Sequence, residues 1–173
     1  MLKAILVCLF LKQALYSNLY STTLTNCELQ FEVLNAGFKV KGSLEATVVK
    51  GYFNPERLEQ SQVLIVANPS TINTGIPIRD KHLQRADYFN TTNYPEIELA
   101  SQSFEKKSGN KFLGKFKLTI KGVTKDCEIV FVMKSFGDEK KYEGVFTINR
   151  IAFGVGESSL TLSDEVLIKF SIS

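Results

Sequence analysis

The sequence has few of the residue types from which catalytic and metal sites are built. Its 173 residues include one histidine, His82, and three cysteines. A Ser-His-Asp triad would therefore have to use His82, and the G-x-S-x-G motif that surrounds many nucleophilic serines is absent. P-loop and dinucleotide-binding glycine patterns are absent as well. We therefore expect a protein that is not an enzyme and that holds neither a metal nor a cofactor.

An excess of one charge is also missing. The chain carries 21 lysines and arginines against 18 aspartates and glutamates, a formal net charge of +3. A nucleic-acid-binding surface gathers far more positive charge than this, so we expect no nucleic-acid partner. No apolar run approaches the roughly 18 residues of a transmembrane helix, so stable membrane insertion is not expected either.

The N-terminal segment resembles a secretory signal peptide. Lys3 precedes a short apolar run over residues 4–11, and small residues follow it. Lys12 departs from the usual pattern, and the alternatives are an unusual N-terminal strand or a membrane-touching helix. We predict a signal peptide over residues 1–21, one mature domain over residues 22–173, and a periplasmic or secreted location.

Removal of that segment would leave two of the three cysteines. Cys8 would be lost, and Cys27 and Cys127 would remain. A pair of cysteines in an exported protein permits a disulfide. Unpaired cysteine, however, behaves as a small buried hydrophobe, and we favour two buried free thiols.

Most of the chain alternates apolar and polar residues with the period of half-buried β-strands, of which we count eight. The connections between them are short except across one insert, and short connections make neighbouring strands antiparallel. Eight such strands either close into an up-and-down barrel or split into a two-sheet sandwich. The face predicted to point inward is almost free of charge and rich in phenylalanine and small residues such as Gly42, Gly114 and Gly144. This composition suits the lining of an apolar ligand site and, equally, a plain hydrophobic core. Gly42 further suggests a bend or bulge.

The insert, residues 72–99, lacks the strand alternation. A short helix could begin near Arg79 or Asp80, where the carboxylate would lie at the positive end of the helix. Leu83 and Phe89 would dock on the strands, and Arg79 or Arg85 could pair with Asp87. We interpret His82 as a hydrogen-bonded residue of a plug rather than as a base or metal ligand.

Several motifs resemble the YceI-like family of polyisoprenoid-binding proteins. They are S-T-I-N-T-G at residues 70–75, R-D-K-H-L at 79–83, A-D-Y-F-N at 86–90, Y-P-E-I at 94–97, G-V-T-K at 122–125, N-R-x-x-F-G at 149–154 and D-E-V at 164–166. The resemblance implies an all-β fold: an eight-stranded antiparallel β-barrel, lipocalin-like, with a short helical insert at residues 76–90. It also implies that the barrel interior holds a long isoprenoid chain. Lys121 departs from the family, since many members have histidine there.

The resemblance implies a function and a set of site residues. The protein would bind a polyisoprenoid, such as a polyprenyl phosphate or an isoprenoid quinone, for transport or storage, and it could form a homodimer. The residues expected to line the tunnel are Phe31, Val33, Phe38, Val40, Leu44, Ile65, Leu99, Phe116, Leu118, Phe131, Phe146, Ile148 and Phe170. Those expected in the insert and at the mouth are Arg79, Asp80, His82, Leu83, Asp87, Phe89, Asn149 and Arg150.

Two alternatives stay open. In the first, Asp80, His82 and Asp87 carry out acid–base or metal chemistry at the barrel mouth, as in a small enzyme. In the second, the interior is filled, and the chain is a stress-related structural or interaction protein.

Overall fold

The computed structural model describes residues 22–173 and shows a closed antiparallel β-barrel. The predicted signal peptide and Cys8 lie outside the described residues. The strands are β1 (Thr22–Thr23), β2 (Cys27–Asn35), β3 (Phe38–Phe53), β4 (Gln62–Asn73), β5 (Ile97–Lys106), β6 (Lys111–Ile120), β7 (Val123–Phe136), β8 (Glu139–Asn149) and β9 (Leu162–Ile172). Short 3-10 turns occupy Leu58–Gln60 and Ile151–Phe153.

Eight of these strands, β2 to β9, form the barrel wall. Each pairs antiparallel with the next along the chain, and β9 returns to pair with β2. This is an up-and-down barrel, so the predicted eight-stranded fold is confirmed and the sandwich alternative is excluded. The two-residue strand β1 adds to the end of β3, where Thr22 lies opposite Phe53.

Helix α1 (Pro77–Leu83) and a series of turns make up the insert between β4 and β5. Pro77 stands at the start of the helix, where its missing N–H costs nothing. The helix is shorter than the predicted helical insert at residues 76–90, because after Leu83 the backbone folds into turns and Asn90 takes a left-handed φ of 50°. Among residues 22–173, no helix has the length and apolarity that crossing a membrane requires.

A β-bulge in β3 changes which of its residues face inward. Ala46 lies opposite Ala67 and Val48 lies opposite Val66, so two steps along β3 match one step along β4. One extra residue turns the following side chains to the other face. Val49 therefore packs against the core in place of Val48, and Phe53 is buried with 2% of its surface exposed.

Two more irregularities have the same effect elsewhere in the wall. In β5, Ser101 lies opposite Phe116 and Ser103 lies opposite Lys115, which brings Phe104 inside. In β4, Asn68 and Asn73 lie opposite Glu45 and Ser43, so five steps along β4 correspond to two along β3. β4 therefore has three extra residues here. Because this number is odd, the side chains that follow change face, and Ile72 points into the interior, where it is buried.

Gly42 is a point of close approach rather than a bulge in the pairing with β2. It lies directly opposite Phe31, with its neighbours in register on both sides, and the irregularity in β3 begins only at Ser43. A Cβ atom at Gly42 would lie 2.3 Å from the Phe31 ring. The same arrangement recurs at Gly144, which lies opposite Phe170. Each ring covers the place where the glycine has no side chain.

An aromatic cluster closes one end of the barrel, the end at which β2 begins and β3 ends. The Phe53 ring centroid lies 5.1 Å from those of Phe104, Phe112 and Tyr142 and 5.4 Å from that of Phe131. Phe53 meets each of these four rings edge to face, one of the favoured geometries for aromatic pairs. We call these five rings the aromatic floor.

Phe53 is the residue on which the aromatic floor should depend most. Phe53→Ala should lower the free energy of unfolding by about 3–5 kcal/mol, because it leaves a cavity among four neighbouring rings. Phe136→Ala is the matched control, since Phe136 is an exposed residue at the same end, and its effect should stay within about 0.5 kcal/mol. Urea denaturation measures both, and equal losses would contradict this role of Phe53.

Candidate functional site

A cavity of about 360 Å³ lies inside the barrel, between the aromatic floor and the insert. Side chains from strands β2 to β9 form its wall, and nearly all of them are apolar. Most polar lining residues lie towards the insert end, where Asn35, Thr74, Arg79, His82 and Arg150 contribute, and Gln30 of β2 is the exception. The barrel therefore encloses an apolar space with a polar end, and its interior is not completely filled by side chains.

The structure places twelve of the thirteen predicted tunnel residues on the cavity wall. They are Phe31, Val33, Val40, Leu44, Ile65, Leu99, Phe116, Leu118, Phe131, Phe146, Ile148 and Phe170. Of these, Leu99 packs against both buried clusters of the interior, one at the floor and one near the insert. It therefore lies near the middle of the cavity. Contact of these residues with a ligand stays a prediction.

Phe38 does not line the cavity, and its prediction as a tunnel residue is wrong. Its side chain is 77% exposed. Phe38 is the first residue of β3, paired with Asn35 across the tight turn at Ala36 and Gly37. Phe38 falls on the positions of β3 that alternation assigns to the interior. Because it is the first residue of the strand, however, its side chain extends into solvent and does not line the cavity.

Alternation missed several lining residues for identifiable reasons. Phe53, Phe104 and Ile72 follow the register shifts, which sequence patterns do not reveal. Tyr88 and Val155 belong to non-strand segments that fold over the end of the barrel. Eight further lining residues occupy strand positions that alternation assigns to the interior, so the sequence pattern could have identified them: Val63, Ala67, Ile97, Ile120, Ile129, Val166, Ile168 and Ile172.

Thr74 joins the end of β4 to helix α1. The Asp80 carboxylate accepts hydrogen bonds from the Thr74 backbone N–H at 2.9 Å and from the Thr74 hydroxyl. Arg79 Nε donates to the Thr74 hydroxyl at 2.8 Å, and its Nη2 donates to the Thr74 carbonyl at 2.9 Å. Asp80 therefore fixes the insert and does not line the cavity, whereas Arg79 does both.

His82 and Asp87 face each other at the surface of the insert. His82 Nε2 lies 3.8 Å from Asp87 Oδ2, and the two side chains are 44% and 57% exposed. The His82 ring also meets Tyr88 edge-on, with centroids 4.8 Å apart. Asp87 thus faces His82 and not Arg79 or Arg85, contrary to the expected arginine pairing. Of the remaining insert residues, Leu83 and Phe89 line the cavity.

Arg150 organises the loop that joins β8 to β9. Only 5% of Arg150 is exposed, and its guanidinium donates to the carbonyls of Val155, Glu157, Leu162 and Ser163 and to the Asp164 carboxylate, at 2.9 to 3.3 Å. Asn149 receives the Ala152 N–H at 3.1 Å and does not line the cavity. The loop therefore folds around the buried guanidinium of Arg150. Arg150 also contributes to the lining of the cavity.

Within residues 22–173, no three histidine, cysteine or acidic side chains are grouped as ligands for a metal ion. Cys27 and Cys127 are free thiols. Burial, with a smaller effect of the neighbouring acids, raises the pKa of Cys27 to about 12 and that of Cys127 to about 11. Since the thiolate is the reactive form, we expect both thiols to stay protonated at neutral pH.

Comparison with known sequences finds one family. A model of the YceI-like domain matches residues 20–173. A UPF0312 protein of Staphylococcus aureus (strain N315) is 35% identical over 126 residues, which cover 68% of this chain and 70% of that protein. A UPF0312 protein of Photorhabdus laumondii is 37% identical over 73 residues, 42% of this chain and 38% of that protein.

Solved structures share the barrel. BcnA of Burkholderia cenocepacia superposes with a TM-score of 0.80 at 23% identity, over 84% of this chain and 94% of BcnA. The YCEI protein of Campylobacter jejuni gives a TM-score of 0.69 at 24% identity, over 75% of this chain and 81% of that protein. A polyisoprenoid binding domain from Saccharophagus degradans gives 0.67 at 14% identity, over 88% and 96%. At these identities the likeness establishes a common fold.

The raised thiol pKa values predict slow alkylation. In the native protein at neutral pH, Cys27 and Cys127 should react with iodoacetamide roughly tenfold or more slowly than in denaturant, because both stay protonated and shielded. Mass spectrometry of the labelled peptides measures each site. Rapid native labelling would contradict the pKa assignment, and no labelling in denaturant without reductant would reveal a disulfide.

Arg150 should matter for stability because it satisfies several buried acceptors at once. Arg150→Leu should lower the free energy of unfolding by about 3 kcal/mol, since it strands those carbonyls and the Asp164 carboxylate. The control, Lys117→Leu, breaks an exposed pair with Asp126 and should cost less than about 1 kcal/mol. Similar losses in urea denaturation would show that the Arg150 network carries no special weight.

Proposed function

The chain belongs to the YceI-like domain family, and on that premise we propose that it binds a long-chain apolar lipid inside its barrel. The apolar cavity between the aromatic floor and the insert is the observation that carries this proposal. Its volume of about 360 Å³ falls in the range of small-molecule pockets, about 300–1,000 Å³. A filled-core structural protein would not need such a space.

The shape of the cavity suits a chain better than a compact ligand. Along β2 alone the lining runs from Leu29 to Asn35, which corresponds to roughly 20 Å of strand. A hydrocarbon chain that enters this space is removed from water along its whole length. Its binding is favoured by about 0.8 kcal/mol for each buried methylene. Several methylenes would therefore give strong binding without a hydrogen bond to the wall.

An isoprenoid is the class of lipid we propose, such as a polyprenyl phosphate or an isoprenoid quinone. The motif resemblance supports this class, and so does the structural likeness to a polyisoprenoid binding domain of Saccharophagus degradans. The role is transport or storage, since the polar side chains at the insert end are engaged in fixing the insert and the β8–β9 loop. We further propose a periplasmic or secreted location, reached through residues 1–21.

A substitution that fills the cavity tests the proposal. Leu99→Trp should weaken the binding of geranylgeraniol at least tenfold, because a loss of two buried methylenes already corresponds to about 1.6 kcal/mol. Val145→Trp is the control, since Val145 is an exposed residue of the wall that does not line the cavity, and it should leave affinity unchanged.

Binding is measured by displacement of an environment-sensitive apolar dye, with circular dichroism to verify that each variant is folded. If folded Leu99→Trp binds as tightly as the wild type, the ligand does not occupy the cavity. If the wild type binds no isoprenoid, the proposal fails as a whole.

A further inference from the structure

Exposed apolar side chains are concentrated at the insert end of the barrel. Of the eleven exposed large hydrophobic residues within residues 22–173, seven lie there: Leu34, Phe38, Ile76, Ile78, Tyr94, Val123 and Leu160. Five of the seven belong to three short segments, which are the β2–β3 turn (residues 34–38), the start of the insert (75–78) and part of the β8–β9 loop (158–161). We call these three segments the apolar rim.

The apolar rim occupies one continuous arc of the barrel mouth. Around the wall, β4, β3, β2 and β9 are consecutive neighbours. The three segments follow β4, join β2 to β3 and precede β9. Two of them are in direct contact, since the Ala36 N–H donates to the Thr161 carbonyl at 2.7 Å. The exposed side chains therefore occupy neighbouring positions along the same edge.

The apolar rim contains no charged residue, and this distinguishes it from the other connections. Its three segments read L-N-A-G-F, G-I-P-I and S-S-L-T. At the floor end, the β3–β4, β5–β6 and β7–β8 connections contain Glu56, Lys107 and Asp138 respectively. On the other side of the mouth, the β6–β7 turn contains Lys121 and the later part of the insert contains Arg85. One arc of one end is thus suited to contact with an apolar phase.

The distribution of these side chains suits a bilayer surface better than a protein partner. They stand on separate tips, and a polar pocket lined by Lys41, Ser43 and Asn73 lies between the β2–β3 hairpin and the start of the insert. A protein interface has a continuous, closely packed apolar core. A bilayer takes up apolar groups at its boundary between headgroups and acyl chains, so each tip can enter it separately.

Each segment of the apolar rim adjoins the wall of the internal cavity. Asn35 of the β2–β3 turn lines the cavity, as do Thr74, directly before the second segment, and Leu162, directly after the third. The aromatic floor closes the opposite end. A lipid that moves from a bilayer past the rim therefore reaches the cavity with little of its chain exposed to water.

We propose that the apolar rim docks on a lipid bilayer, with Phe38, Ile78 and Leu160 entering the headgroup region and the barrel mouth facing the membrane. The purpose of this contact, exchange of a lipid between bilayer and cavity, rests on the proposed function. The contact itself requires no ligand in the cavity.

Charge contributes little to this docking. The exposed charged residues that flank the rim in sequence are three bases and two acids: Lys39, Lys41, Lys81, Glu157 and Glu165. Binding should therefore depend on the apolar side chains. It should occur on uncharged phosphatidylcholine vesicles and change little with added salt.

Tryptophan reporters test the docking directly, because the chain contains no tryptophan. On addition of phosphatidylcholine vesicles, the emission of Phe38→Trp should shift to shorter wavelength, and lipids brominated on their acyl chains should quench it. Phe136→Trp is the matched control, since Phe136 is also an exposed phenylalanine of a hairpin but lies at the floor end. Its emission should not change.

Removal of the apolar side chains tests their contribution to affinity. Phe38→Ser combined with Ile78→Ser should weaken cosedimentation with the vesicles roughly tenfold or more, because two large side chains are no longer removed from water. Phe136→Ser combined with Val145→Ser replaces two exposed apolar residues outside the rim and should leave binding unchanged. Circular dichroism verifies that each variant is folded.

The outcomes separate the docking from the proposed function, because the vesicles contain no isoprenoid. If the emission of Phe38→Trp stays unchanged, or if Phe136→Trp responds equally, the docking is overturned. It is also overturned if the rim variant converts a dimer to a monomer and leaves vesicle binding intact, which would identify a second copy of the chain as the partner. Docking by a protein that takes up no isoprenoid would support the rim and contradict the proposed function.

Discussion

Closure of the sheet on itself is the constraint on which the rest of the structure depends. Pairing of β9 with β2, together with that of β3 with β4, removes the free edges that an open eight-stranded sheet would expose. It also turns one face of every strand towards the barrel interior. Side chains on that face must be apolar, and those at the two ends must seal the space. The floor, the cavity and the insert follow from this requirement.

The two ends meet the requirement differently. At one end four aromatic rings pack edge to face around Phe53 and leave little space. At the other end the seal consists of a short helix and loops held by polar contacts, those of Thr74 with α1 and of Arg150 with the β8–β9 loop. A closely packed floor and an insert held by polar contacts suit a barrel that a ligand enters at the insert end.

The sequence predicted the eight strands because the period of two is local and persists through each strand, whereas the choice of a barrel over a sandwich came from the motif resemblance. It predicted twelve wall residues for the same reason. Bulges are not visible in such a pattern, since a single extra residue at Ala46–Val48 or Ser101–Ser103 reverses the phase without changing composition. Phe53 and Phe104 were missed in this way. Phe38 shows the opposite error: its phase is right, but the wall has already ended.

We propose that the barrel interior is a site for an isoprenoid chain. Denaturing organic extraction of the purified protein, followed by mass spectrometry of the extract, tests this proposal. We expect an isoprenoid lipid in a stoichiometry approaching one per chain, enriched over an extract of a similarly purified unrelated protein. An extract with no lipid, from a protein that also takes up no polyprenyl or quinone lipid when these are supplied, would show that the barrel is not an isoprenoid site.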